Sequence, residues 1–169
     1  MRLCRPLFIL LLFLPIGCGY QLAGKTTHLP PGVTSIAIPT LTNLTLEPGL
    51  EIHFTQAFLR EFIQDKRVSV VSRQTADSTL EGIIKSFTMF SVSYDTSGYA
   101  LEYQTIVIMD LTLKKRDGVI LWREKDLMER AWYRTSPSVI ATEDNKNNAI
   151  QQIAKSLAEK VRNRFFYNF

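Results

Sequence analysis

One cysteine has a setting that points to a definite chemistry, the attachment of lipid to its thiol. A positively charged start and a short apolar run over residues 7–16 precede Gly17 and Cys18. This order is typical of a bacterial lipoprotein signal, in which a peptidase cuts directly before the lipid-modified cysteine. The run is shorter than the roughly 20 apolar residues that a membrane-spanning helix needs. We therefore expect residues 1–17 to be a signal peptide and Cys18 to carry lipid; an ordinary secretory signal with an unrelated cysteine is the alternative.

Lipid on Cys18 would decide both the compartment and the thiol chemistry of the mature chain. Cys4 would leave with the signal, so no free thiol would remain for a disulfide, a metal site or a nucleophile. Gly19 follows the cysteine, whereas Asp at that position is the usual signal for retention in the inner membrane of Gram-negative bacteria. We therefore expect a lipid-anchored protein at the periplasmic face of the outer membrane, held in the inner leaflet.

The remaining polar residues match none of the common catalytic or metal-binding motifs. His28 and His53 do not stand at a metal-ligand spacing, and the sequence has no HExxH, no Gly-x-Ser-x-Gly and no glycine-rich phosphate loop. We expect no enzymatic activity, no metal and no cofactor other than the lipid on Cys18. A hydrolase with an unrecognised site is the catalytic alternative.

Size and charge predict one packed domain. Loss of the signal removes Arg2 and Arg5 and leaves 18 Lys and Arg residues against 16 acidic residues, which gives no case for nucleic-acid binding. An apolar content of 46% is enough for a hydrophobic core. We assign residues 18–32 to the lipidated N-terminus and tether, and residues 33–169 to a single domain.

Hydrophobic periodicity in that domain predicts an α+β fold. Apolar residues recur every four positions in a helix predicted over residues 50–64, and a polar loop over residues 134–148 leads to a second helix over residues 147–166. Apolar residues alternate in a long strand predicted over residues 101–113. This order predicts two α-helices packed on one face of a mostly antiparallel four- to five-stranded sheet. The other predicted strands cover residues 33–39, 68–71, 79–92 and 119–133.

A hairpin turn is predicted between the last two strands, at Asp117-Gly118. If the turn has only these two residues, Arg116 pairs with Val119 and Asp110 stands opposite Lys125, a favourable pair of charges. The same register would bring acidic residues to the apolar face of the hairpin, unless a bulge shifts it.

A cluster of cations at this turn is one candidate contact surface. Lys114, Lys115 and Arg116 follow one another, and Arg123 and Lys125 come close behind on the returning strand. Clustered cations could meet lipid phosphates or an acidic partner. A solvated turn is the alternative.

Aromatic residues at the opposite end of the hairpin are a second candidate. Tyr94 and Tyr99 flank a polar loop, and we expect them to be exposed and to line an interface. Tyr103 and Trp132 lie farther along the strands, and we expect them to fill the core.

Several short segments, in this order and spacing, resemble the LPS-assembly lipoprotein family, LptE. The resemblance extends over essentially the whole mature chain. The segments that carry it are Cys18-Gly19-Tyr20-Gln21-Leu22, Leu29-Pro30-Pro31-Gly32-Val33, Ser35-Ile36-Ala37-Ile38-Pro39, Glu47-Pro48-Gly49-Leu50-Glu51, Glu102-Tyr103-Gln104 and Val119-Ile120-Leu121-Trp122.

The resemblance implies a protein without catalytic activity that sits partly inside the large outer-membrane barrel LptD. It implies that the protein helps this barrel to assemble and assists delivery of lipopolysaccharide to the outer leaflet. Basic loop residues contact lipopolysaccharide in some members; here the loop over residues 94–99 has no cation, and residues 142–145 are acidic. Lys146 and the cluster Lys114-Lys115-Arg116 therefore remain the candidates for this contact.

A second hypothesis is a periplasmic outer-membrane lipoprotein that regulates a cell-wall synthase or a secretion pore. Such proteins share the pattern seen here of a strand over residues 35–38, a loop and an apolar helix that ends before another strand. The partner that copurifies with the protein distinguishes the two hypotheses.

Overall fold

A mixed sheet and two helices occupy residues 32–167, the part of the chain that this computed structural model describes. The predicted signal peptide, Cys18 and nearly all of the tether lie outside the described residues. The elements are β1 (Ser35–Ala37), β2 (Thr42–Asn43), α1 (Leu50–Asp65), β3 (Ser69–Val70), β4 (Ser78–Tyr94), β5 (Ala100–Lys115), β6 (Ile120–Arg134) and α2 (Val139–Tyr167).

The sheet consists of a long antiparallel part and a short parallel part. Its strand order is β3-β1-β4-β5-β6, and β2 pairs separately with β4. The pairs β4–β5 and β5–β6 are antiparallel, whereas β1, β2 and β3 pair in parallel fashion. The predicted α+β class, with two helices on one face of a mostly antiparallel sheet, is confirmed. The sixth strand is β2, a segment that the sequence predicted as loop. Only two residues of it pair, which is too short for a recognisable strand pattern.

The apolar repeat of α1 forms the centre of the core. Leu50, Phe54, Phe58 and Phe62 are spaced by four residues and are all fully buried. One turn of helix is 3.6 residues long, so these side chains form one stripe. The stripe packs against α2, where the ring of Phe165 meets that of Phe62 edge-on at 5.4 Å. Both helices thereby cover the same face of the sheet.

The turn between β5 and β6 has three residues in place of the predicted two. Gly118 N donates to Lys115 O at 2.9 Å, and Lys115 N donates to Val119 O at 2.8 Å. Gly118 has a φ of 89°, and neither Arg116 nor Asp117 has a positive φ. A two-residue turn with two positive φ angles therefore does not form. The predicted pairing of Arg116 with Val119 is wrong, and Arg116 N instead donates to Asp77 O at 2.8 Å.

A bulge also changes the register between β5 and β6. The ladder is irregular between Met109 and Leu111, and beyond that point Val107 pairs with Glu129. Asp126 has a φ of 56°, and its backbone N donates to Asp110 Oδ1 at 2.8 Å. At the bulge Asp110 has no partner in the β5–β6 ladder, and its ion pair is with Lys85 instead of the predicted Lys125. An extra residue on one strand turns every later side chain to the opposite face of the sheet.

The helix α2 begins well before the predicted start. It starts at Val139, because Ser138 caps it: Ala141 N donates to Ser138 Oγ at 3.3 Å, and Thr142 N donates to Ser138 O at 3.0 Å. The predicted polar loop over residues 134–148 is thus mostly helix. Its first turns carry no buried apolar residue before Ala149, so periodicity alone did not reveal them.

Asp77 joins β1 to the start of β4. Its Oδ2 accepts four hydrogen bonds, from the backbone N and the hydroxyl of both Thr34 and Ser35, at 2.8 to 3.0 Å. The side-chain hydrogen bond from Ser35, followed by those from Thr34, lowers the pKa of Asp77 to about 2. This carboxylate therefore fixes the position of β1 in the sheet.

We expect Phe58→Ala to lower the free energy of unfolding by about 3–5 kcal/mol, because it leaves a cavity at the centre of the core. Urea unfolding followed by circular dichroism measures this change. The control is Ile63→Ala on the exposed side of the same helix, which should cost less than about 0.5 kcal/mol. Equal losses in the two variants would contradict the assigned core face.

We expect Asp77→Asn to change how stability depends on pH. The pKa of Asp77 is lower in the folded chain than its ordinary value of 3.8, so its stabilisation is complete above that value and is lost as the pH falls toward about 2. The free energy of unfolding of the variant should fall less steeply than that of the parent between about pH 4 and pH 2. Asp144→Asn, which alters an exposed acid of α2, should leave the slope unchanged; identical slopes for all three proteins would contradict this role.

Candidate functional site

One of the two faces of the sheet is covered by neither α1 nor α2, the helices of residues 32–167. Side chains alternate between the two faces along β4, β5 and β6, and those next to buried residues point away from α1 and α2. We call this side the open face. It carries Glu81, Ile83, Phe90, Ile106, Ile108, Asp110, Thr112, Lys114, Arg123, Met128, Arg130 and Trp132.

A groove crosses the end of the open face that lies near the β5–β6 turn. In the ladder, Glu81 on β4 stands beside Thr112 on β5, which stands beside Arg123 on β6. The other charged residues of the lining are Asp110, Lys114 and Arg73, the last from the loop after β3. The groove has a volume of about 460 Å³. We call it the basic groove.

Positive charge exceeds negative charge in the basic groove. Glu81 accepts from Arg73 Nη2 at 3.2 Å and from Lys114 Nζ at 2.6 Å. Arg123 is exposed and has no acidic partner within residues 32–167. Three cations therefore surround one carboxylate at this end of the groove.

An ion triad limits the basic groove at its other end. Lys85 Nζ lies 2.7 Å from Asp110 Oδ1 and 2.5 Å from Asp126 Oδ1. The hydrogen bonds with Asp110 and then Asp126 raise the pKa of Lys85, so the amine stays charged. Each member lies at or next to an irregularity in strand pairing, on β4 or between β5 and β6. The triad thus ties the three long strands together where their register changes.

Beyond the triad, the open face carries five apolar side chains among the polar Ser86, Thr88, Gln104 and Arg130. We call this region the apolar strip; its members are Phe90, Ile106, Ile108, Met128 and Trp132. Ile108 pairs with Met128, and Gln104 stands between Phe90 and Trp132. The side chain of Trp132 is 51% exposed, so the prediction that it fills the core is wrong. The bulge between β5 and β6 explains this, because it turns Tyr133 inward in its place.

The predicted cluster Lys114-Lys115-Arg116 divides between two environments. Lys114 lines the basic groove, and Lys115 Nζ lies 3.9 Å from Asp117 Oδ2. Arg116 donates through Nη2 to Thr75 O at 2.7 Å and through Nε to Ala76 O at 2.9 Å. Arg116 therefore holds the turn against the chain that enters β4. A contact of these three residues with lipopolysaccharide or a partner stays a prediction.

Lys146 forms two ion pairs. Its Nζ lies 3.0 Å from Glu47 Oε1 and 2.8 Å from Glu143 Oε2, and its side chain is only 14% exposed. Burial lowers its pKa, but the hydrogen bonds with Glu143 and Glu47 outweigh burial and the pKa is raised. Lys146 thus joins the loop before α1 to α2. Its role as a contact for lipopolysaccharide stays a prediction and would require these pairs to open.

Tyr94 and Tyr99 lie at the far end of the β4–β5 hairpin. Both are exposed, as predicted, and Tyr94 Oη lies 2.7 Å from Ser91 Oγ. Asp95 Oδ1 accepts from the backbone N of Ser97 and of Tyr99, which folds the loop between them. This end of the hairpin carries no cation. An interface through the two tyrosines stays a prediction.

Residues 32–167 contain no group of three or more His, Cys, Asp or Glu side chains that could hold a metal ion. Over the same residues, neither helix combines the length and the hydropathy needed to cross a membrane. The features of the site are therefore charge and exposed apolar surface.

We expect Arg116→Gln to lower the free energy of unfolding by about 1 kcal/mol, because two backbone carbonyls lose their donor. Lys115→Gln is the matched control, since it removes the same charge without a hydrogen bond to backbone; its effect should be near zero. Thermal or urea unfolding measures both. An equal and negligible effect of both changes would contradict the structural role of Arg116.

Comparison with known proteins identifies the family. The family model for lipopolysaccharide assembly, LptE, matches residues 33–165. Among solved structures, lipoprotein B from Nitrosomonas europaea is similar with a TM-score of 0.57 at 11% identity, over 88% of this chain and 90% of that one. PelC from Paraburkholderia phytofirmans, solved as a dodecamer, is similar with a TM-score of 0.53 at 15% identity, over 79% and 89%.

At these identities the likeness to solved structures shows the fold alone. Comparison of the sequence with curated proteins finds no match. The family match, in contrast, extends over nearly all of the described residues and confirms the resemblance predicted from the sequence. The chain belongs to the LptE family of lipopolysaccharide assembly.

Proposed function

We propose that the protein is an outer-membrane lipoprotein that plugs the LptD β-barrel, helps the barrel to assemble and assists transport of lipopolysaccharide to the outer leaflet. The observation that carries this proposal is the match of the LptE family model to residues 33–165. The proposed role is not enzymatic. It would rest on contacts with the barrel and the lipid rather than on a reacting group.

The open face supports a partner of this kind. The apolar strip joins side chains from β4, β5 and β6, and Met128 and Trp132 are each about half exposed. Contiguous exposed apolar surface is uncommon on a soluble monomer and marks contact surfaces. The opposite face is occupied by α1 and α2. The open face is therefore the side of the sheet that we assign to the barrel wall.

Lipid on Cys18 would place the domain at the membrane. Fully extended, residues 18–32 reach at most about 50 Å. This reach is enough for the domain to enter a barrel of the same membrane while the lipid stays in the inner leaflet. Several acyl chains on one cysteine give stable anchoring, at about 0.8 kcal/mol per buried CH₂ group.

A detergent pull-down of the tagged, full-length chain from its own outer membrane tests the proposed function. We expect a large β-barrel protein in stoichiometric amount, identified by mass spectrometry. Cys18→Ser should release the chain from the membrane and reduce the yield of complex. A cell-wall synthase or a secretion component in place of the barrel would contradict the proposal and favour the regulatory hypothesis.

We expect Met128→Lys to weaken the complex with the barrel, because it puts a charge into the apolar strip. Ile63→Lys is the matched control, since Ile63 is 57% exposed on α1 and Met128 is 52% exposed on β6. The same pull-down, after unfolding experiments that show equal stability, measures both variants. Loss of the barrel with Ile63→Lys but not with Met128→Lys would contradict the assigned face.

A further inference from the structure

The basic groove has the charge and size of an anion site. Most of its lining residues are polar: threonines from the β1–β2 segment and β5 accompany Arg73, Lys114, Arg123, Glu81 and Asp110. Its volume, about 460 Å³, falls in the range of small-molecule sites, roughly 300–1,000 Å³. It lies near the β5–β6 turn, away from residues 94–99 and 142–145.

We propose that the basic groove binds a phosphate monoester group, held by Arg73, Lys114 and Arg123. Three cations line the groove together with two carboxylates, and one of these, Asp110, is already held by Lys85 at 2.7 Å. Arg123 has no acidic partner among residues 32–167. A phosphate monoester carries a charge of about −1.5 to −2 near neutral pH. It also offers three acceptor oxygens, one for each of the three cations, whereas a carboxylate offers two. Guanidinium groups such as those of Arg73 and Arg123 can also bind phosphate oxygens in pairs.

Glu81 acts as an internal competitor in this site. Its two carboxylate oxygens are occupied by Arg73 and Lys114. These two cations also line a smaller cavity on the other side, beside Lys115 and Arg116. A phosphate must share these two cations with Glu81 or displace it. Removing the charge of Glu81 should therefore strengthen binding, whereas removing Arg123 should weaken it.

The triad of Lys85, Asp110 and Asp126 orients the ligand. Its two acids repel a phosphate from that end of the groove, while Lys114 and Arg123 attract it to the other end. The bound group would then lie over Thr112, whose strand neighbours are Glu81 and Arg123. The ligand that carries the phosphate can be a lipid head group or a free phosphate compound.

Calorimetric titration of the full-length chain in neutral maltoside micelles tests the proposal. The probes are inorganic phosphate and dodecyl phosphate, the second added to the micelles. We expect Arg123→Gln to weaken binding roughly tenfold. Arg130→Gln is the matched control, because Arg130 lies on the same strand and the same open face, beside Ile106; binding should stay within about twofold of the parent.

Two further readouts separate a phosphate site from general charge attraction. Glu81→Gln should tighten binding severalfold, the reverse of what a merely structural carboxylate would do. The affinity should also rise from about pH 5 to pH 7 as the phosphate takes its second charge near pH 6. Tight binding of dodecyl phosphate alone identifies a lipid head group as the source, and equal binding of both probes identifies any accessible phosphate.

The proposal is overturned if neither phosphate probe binds, or if Arg123→Gln and Arg130→Gln weaken binding equally. It is also overturned if a polyglutamate peptide binds while phosphate does not, because the groove would then fit an acidic protein segment. Failure of phosphate binding leaves the barrel pull-down unaffected. The two proposals can therefore fail separately.

Discussion

An extra residue at the β5–β6 bulge determines which side of the sheet each later residue of β6 faces. Before this bulge, Leu113 pairs with Trp122 and Leu111 with Glu124. After it, Leu127, Ala131 and Tyr133 point to the helices, and Met128 and Trp132 point away. Without the shift, the two sets would exchange faces, because side chains alternate strictly along a strand. Both the core and the open face depend on this irregularity.

The inward set gives α2 a surface to pack on. Leu127 and Ala131 are buried against the apolar stripe of α2. Glu129 joins the same two elements, since its Oε2 accepts from Ser156 Oγ at 2.9 Å and pairs with Lys160. Burial raises the pKa of Glu129, but these hydrogen bonds outweigh burial and lower it. The helices stabilise one face of the sheet and leave the other available for contacts.

Sequence patterns predicted the parts of the fold that depend on local repeats. The four-residue spacing of Phe54, Phe58 and Phe62 predicted α1, and the alternation of apolar residues predicted β5. The structure confirms both elements. The start of α2 was missed because its first turns bury nothing. Trp132 was assigned to the core because the acidic residues on the apolar face suggested a bulge without fixing its position. A positive φ at Asp126 could not be read from its neighbours.

The candidate site was only partly predictable for a related reason. Lys114 was recognised from a run of cations, but Arg73 reaches the basic groove from a loop that is distant in sequence. Glu81 joins the two only through strand pairing. Lys146 shows the converse, since a cation that looked free in the sequence is paired with Glu47, about a hundred residues earlier. Such contacts follow from topology, which a single sequence constrains weakly.

The open face as the contact surface is the central claim, and site-specific photo-crosslinking in living cells tests it most directly. A photoreactive amino acid would replace Trp132 on the open face or Ile52 on the helical side, two positions of similar exposure. The account predicts a crosslink to a large outer-membrane barrel from position 132 and none from position 52. A barrel crosslink from position 52 alone would contradict it.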